Sequence, residues 1–232
     1  MKRDLLGNLI TACVSVSVFY AAQTIFAPKS TKQIAAESWN VAVRVEASDR
    51  DATGVGTGWR INSRYVVTNN HVANSADKKI TVTLADKKEL TAKIACEDSH
   101  NDITVLEIPE SRGQKSLKLG DSDKLAADDK VIEIGNPLDM GIRVSEGVVS
   151  VNPPWPDYKG RNDVQFSAYS NPGNSGSPLF NEQGRVIGMT VKNYSDADGN
   201  NLGIAYAVPI NIIRESLKGC KLPQLRASLD LG

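Results

Sequence analysis

An all-β fold of two six-stranded barrels, followed by one short C-terminal helix, is predicted by three features of this 232-residue chain. Twelve short runs either alternate apolar with polar residues or are rich in β-branched ones, the patterns of half-buried and fully buried strands. Glycine and proline, 18 and 10 residues, punctuate those runs, while aromatic residues make up only 6%. After the N-terminal segment, one helical pattern appears, Asn211 to Lys218, with Asn211 as its cap and Gly219 as its stop.

Taken in order, Val41–Glu46 alternates apolar and charged residues. Strands are expected next at Gly54–Ile61, Tyr65–Thr68, Ile80–Leu84, Leu90–Ala95 and Ile103–Ile108, completing a first barrel over about residues 39–110. Leu84–Glu89 reads as a hairpin loop, and the polar stretch Pro109–Asp129 as the crossover. A second barrel, over about residues 128–210, takes Lys130–Gly135, Val144–Val151, Val164–Ala168, Pro178–Phe180, Val186–Val191 and Ile204–Val208. Asn181–Gly184 supplies a turn, and Asn152–Pro156 a surface loop rather than a polyproline ligand.

Ahead of the barrels, Met1–Asp4 precedes Leu5–Ala27, 23 residues without a charge, sixteen of them apolar. That length spans a bilayer of roughly 30 Å as a helix. The expectation is an uncleaved anchor within residues 1–30, Lys2 and Arg3 cytoplasmic and the rest in the periplasm or exterior. Its rival is a cleaved signal peptide, with small residues at Tyr20–Ala22.

Lys+Arg and Asp+Glu each number 27, so nothing in the charge points to nucleic acid. Cys13 lies in the apolar segment, which leaves Cys96 and Cys220 as one conceivable pair. No disulfide framework supports it, and free or buried thiols are expected. Asp196–Asn200 looks superficially like a calcium loop, but its glycine is fourth and position 12 falls on Ala207, so no metal is expected. No cofactor is expected either.

Three motifs carry chemistry. Pro172-Gly-Asn-Ser-Gly-Ser-Pro178 sets Ser175 between glycines, where amides of Gly173 and Ser175 could face a developing oxyanion. Alone it is an ordinary turn composition. Tyr65-Val-Val-Thr-Asn-Asn-His71 ends a β-rich run on one of only two histidines, a residue type suited to general base work. Asn101-Asp102 opens the strand Ile103–Ile108, where a carboxylate could fix an imidazole tautomer; Asp98 is the rival acid.

In the order His71, Asp102, Ser175, the chain resembles the chymotrypsin-like serine proteases, nearest to the HtrA (Deg) family. The resemblance runs from about Trp39 to Lys218. It includes Gly56-Thr-Gly-Trp59, Leu119–Leu125, Ile134-Gly-Asn-Pro137, Ser145–Ser150, Val186-Ile-Gly188 and Gly203–Pro209. It implies a chymotrypsin-like double β-barrel over residues 31–220, with His71, Asp102 and Ser175 catalytic and Gly173 and Ser175 forming the oxyanion hole. It also implies protein or peptide substrates, unfolded ones included, and a homotrimer built through the N-terminal part of the protease domain. Ser177 stands where the family has a second glycine, and Ser167 where it often has an aspartate. Tyr169, six before Ser175, disfavours cleavage after Lys or Arg. The tail 221–232 is too short for the PDZ domain most members carry. Two other readings stand beside this one: a V8-like secreted endopeptidase, and a non-catalytic binding or chaperone-like module on the same fold.

Overall fold

In a computed structural model the described residues are 27–74, 79–111, 117–150, 155–156, 160–222 and 224–225. The expected anchor over residues 5–27 lies almost wholly outside them, as do Asn152–Pro154 and most of the tail. Among the described residues no helix is long and apolar enough to cross a membrane.

The chain first forms a helix that the sequence pattern did not announce, α1 (Thr31–Ser38). Ser30 and Gln33 close a reciprocal capping box at its start, and Ile34 is its fully buried anchor. Six strands follow: β1 (Ala42–Ser48), β2 (Thr53–Arg60), β3 (Tyr65–Thr68), β4 (Lys79–Thr83), β5 (Glu89–Asp98) and β6 (Ile103–Glu107). They close in the order β1-β2-β3-β6-β5-β4, all antiparallel, with a helical turn α2 (Asn70–Ala73) after β3.

Seven strands make the second half: β7 (Lys130–Gly135), β8 (Arg143–Val148), β9 (Trp155–Pro156), β10 (Asn162–Phe166), β11 (Pro178–Asn181), β12 (Val186–Ser195) and β13 (Asn201–Pro209). Their order is β8-β7-β11-β12-β13-β10-β9. An antiparallel bridge from Val149, just past β8, to Phe166 on β10 draws this sheet round into a second barrel. Helix α3 (Ile210–Gly219) ends the fold. Asn211 is not its cap: Pro209 holds that position, and the Asn211 amide instead donates to Asp121.

Strand alternation explains why so many strands read as continuous β-branched runs. Val66 and Leu106 point into the first barrel, whereas Val67 and Val105 point out into a shared core. That shared core joins both barrels through Trp59, Ile132, Ile134, Phe180 and Met189, and takes in Ile213 and Leu217 of α3. A third cluster, with Val131, Phe166, Leu179 and Ile187, fills the second barrel. Each fully buried aliphatic side chain of this kind contributes about 1.5–3 kcal/mol.

The cysteines correct the expectation of free thiols. Cys96 on β5 and Cys220, the residue after α3, form a disulfide across 124 residues, with Cα atoms 5.7 Å apart. The pairing depends on α3 folding back over β5, which no local spacing reveals.

Candidate active site

The β3–β6 register sets the first part of the site. Thr68 pairs with Thr104, so the antiparallel continuation places Asn70 opposite Asp102, and the Asn70 amide donates to the Asp102 carbonyl at 3.1 Å. One residue on, His71 meets the Asp102 carboxylate at two points. Its backbone amide donates to Oδ1 at 2.9 Å, and its Nδ1 lies 2.8 Å from Oδ2. An ionised carboxylate only accepts, so Nδ1 carries the proton and the neutral ring keeps its lone pair on Nε2. Asp102 adopts φ 58°, a left-handed conformation that aspartate tolerates better than most residues, and Asn69 Nδ2 holds its carbonyl. The rival acid is elsewhere: Asp98 accepts from Asn101 and from the Ser216 hydroxyl on α3. Burial opposes charge on Asp98, but those hydrogen bonds prevail and hold it below the usual carboxylate range.

Ser175 sits on the loop between β10 and β11, and that loop is fastened to the first barrel. The Thr57 amide on β2 donates to the Ser175 carbonyl at 2.8 Å, and the Thr57 hydroxyl to the Gly173 carbonyl at 2.8 Å. Gly176 has φ 89°, and a Cβ there would lie 1.9 Å from the Thr57 carbonyl, so only glycine fits. Gly56 is required by close approach: a Cβ would strike the Val72 side chain at 2.7 Å and the Ser175 carbonyl at 2.9 Å. The His71 turn and the Ser175 loop therefore meet across Gly56. Among the described hydrogen bonds, the Ser175 hydroxyl donates to the Val191 carbonyl at 3.4 Å, not to His71. The Gly173 and Ser175 amides donate to no protein group among the described residues.

Around this loop, Asn136–Met140 forms an adjoining wall. The Leu138 amide donates to the Pro172 carbonyl, and Asp139 takes a two-point ion pair from Arg44 on β1 at 2.6 and 2.9 Å. Arg44 and then Asn136 hold the Asp139 carboxyl below its ordinary range. Ser177, which stands where the resemblance implies a second glycine, does not have positive φ. Its hydroxyl occupies space that a side chain at Gly135 would fill, 2.1 Å from that Cβ position. Ser167 pairs with Val148 on β8, its hydroxyl accepting from the Val148 amide at 3.1 Å. Tyr169 is largely exposed.

One residue of the site went unread in the sequence. Glu133 on β7 is fully buried, and its carboxylate accepts from four side chains. Thr190 Oγ1 on β12 and Ser170 Oγ donate to Oε1 at 2.6 and 3.1 Å; Asn174 Nδ2 and Ser145 Oγ donate to Oε2 at 2.9 and 3.2 Å. Burial pushes this carboxyl up to about 7, with the four hydrogen bonds pulling the other way. The available signal was one acid inside Val131-Ile-Glu-Ile134, at the position where alternation turns the side chain into the barrel.

Residues 56–189 match the trypsin-like peptidase domain. A probable periplasmic serine endoprotease, DegP-like, of Pseudomonas putida F1 is 38% identical over 172 residues, which cover 70% of this chain and 34% of that protein. A probable periplasmic serine protease, do/HhoA-like, of Haemophilus influenzae is 36% identical over 200 residues, covering 78% of this chain and 42% of that protein. The chain thus spans between a third and a half of the length of these curated relatives. Among solved structures, the HtrA-type protease AlgW with tripeptide superposes with a TM-score of 0.74 at 26% identity, covering 82% of this chain and 63% of that one.

Proposed function

This chain belongs to the trypsin-like peptidase family, and on that premise we propose that it is a serine endopeptidase of HtrA type. The observation that carries the reading is the two-point hold of Asp102 on His71, which fixes the ring with Nε2 free. In this mechanism the Ser175 hydroxyl leaves its Val191 partner and gives its proton to His71 Nε2 as Oγ attacks the peptide carbonyl. Asp102 stabilises the imidazolium. The amides of Gly173 and Ser175 receive the oxyanion, and His71 then returns the proton to the leaving amine. Water repeats the sequence on the acyl-enzyme. Such a set supplies many orders of magnitude of acceleration.

The substrates of this reading are polypeptides, and the site of action is the periplasm or exterior, since relatives that match most of this chain are named as periplasmic serine proteases. Residues 5–27 would tether the domain to the membrane, and trimerisation would involve the region around Trp39, which is 42% exposed.

The test is a fluorophosphonate probe applied to the full chain beside its Ser175→Ala variant. Labelling of the wild type alone is expected. A folded wild type that stays unlabelled overturns the reading in favour of a binding module on the same fold.

A further inference from the structure

We propose that Glu133 is a positioning residue for the nucleophile: its carboxylate gathers Ser170 and Asn174 from one loop and ties them to β7, β8 and β12. This rests on the reading of Ser175 as the attacking group. Asn174 directly precedes Ser175, and Gly173, whose amide serves the oxyanion in that reading, precedes Asn174. The Asn174 main chain is already committed, its amide to Asn171 and its carbonyl to the Ser177 amide. Its side-chain NH2 can only donate, and Glu133 Oε2 receives it 2.9 Å away. Ser170, five residues before Ser175, reaches Oε1 of the same carboxylate, so the loop is held at two points.

The chemistry of the four donors makes this anchor depend on the charge of Glu133. Thr190, Ser170 and Ser145 carry hydroxyls, which can turn and accept if the carboxyl gains a proton. The Asn174 NH2, in the orientation it holds here, cannot accept. A neutral carboxyl therefore holds Asn174 less strongly, since hydrogen bonds to ionised acceptors are roughly twice as strong as neutral ones. The groups facing Glu133 from β8, β12 and the loop are three hydroxyls and one amide, all uncharged. The other titratable groups of the site, His71 and Asp102, belong to the first barrel. With burial raising Glu133 to about 7, the anchor loosens as pH falls through neutrality. Attack then needs two conditions together, a neutral His71 and a charged Glu133.

The experiment measures the second-order rate of fluorophosphonate labelling of Ser175 from pH 5 to 9, using the full chain as wild type, Glu133→Gln and Thr190→Val. Thermal melts of each variant report folding. The wild type is expected to lose reactivity toward acid more steeply than one ionisation permits. Glu133→Gln should reduce the plateau about tenfold or more, because a 1 Å misplacement can cost about 10²-fold. Its acid limb should fall back to the slope of a single ionisation. Thr190→Val removes one donor from the charged carboxylate, so its limb should keep the steeper form and move to higher pH.

A folded Glu133→Gln with the wild-type plateau and limb overturns the proposal. So does a lowered plateau with an unchanged limb, which a purely structural role would give. If Glu133→Gln does not fold, Thr190→Val decides alone: an upward shift supports the proposal and no shift defeats it. A folded wild type unlabelled at every pH overturns the protease reading, and this inference with it.

Discussion

The Thr57 hydroxyl donates to the Gly173 carbonyl at 2.8 Å while accepting from the Asn136 amide at 2.9 Å. One side chain of the first barrel thereby joins two loops of the second. Thr57→Val keeps the shape and removes both bonds, leaving a buried amide and a carbonyl unpaired. The expected loss is about 1–3 kcal/mol per orphaned group, read as a lower urea midpoint. Ser175 labelling should fall in the same variant under conditions where it remains folded. An unchanged midpoint would show that the staple carries no weight.

Asp102→Asn places an NH2 where one of two donors from His71 now arrives. Loss of the correct ring tautomer should lower the labelling rate by roughly 10³–10⁴-fold. Asp98→Asn should leave labelling unchanged and lower thermal stability, because its partners are Asn101 and Ser216 rather than the imidazole. The opposite pattern would make Asp98 the acid.

Stability should run against activity in its dependence on pH. Glu133 titrates near 7 in the folded chain, and near 4.3 in an unfolded one. Between those values the folded state holds a proton that the unfolded state has released. Stability from this group is therefore complete below about 4.3 and is lost as pH rises through 7, a change of about 4 kcal/mol. Asp98 and Asp139, both held below their ordinary range, lose their contribution only in more acidic solution. Thermal melts of the wild type should show a higher midpoint at pH 5.5 than at pH 8, with the difference shrinking in Glu133→Gln. An equal pH response in both proteins would remove Glu133 as its source.

The Cys96–Cys220 bridge closes a loop of 124 residues. Chain-entropy reasoning gives such a link about 5 kcal/mol, so Cys220→Ser or added reductant should lower the unfolding midpoint substantially. Identical unfolding curves with and without reductant would mean that the thiols are not joined.

Much of the strand order was legible because both faces of the core strands are buried, which writes unbroken β-branched runs such as Tyr65–Thr68 into the sequence. His71, Asp102 and Ser175 each sit at a strand end or in a glycine turn, and those are local patterns. What escaped were partnerships of long range. Glu133 draws its donors from positions 12 to 57 residues away, and no window along the chain contains them. The disulfide has the same character. Helix α1 escaped for another reason: only Ile34 and Ser38 are buried, so its apolar face is too thin to register as a period. At α3 the asparagine looked like a cap, but its side chain was taken by Asp121 from the crossover.

The bridge between Cys96 and Cys220 also bears on survival among its own kind. If the proposed activity holds, each copy of the chain is itself a polypeptide within reach of the others. Any single cut between residues 96 and 220 leaves both pieces covalently tethered. Ser175 and Asp102 lie inside that span, while His71 lies outside it on the retained N-terminal piece. A molecule nicked once within that span therefore keeps His71, Asp102 and Ser175 on one covalently connected body, held together by the shared core.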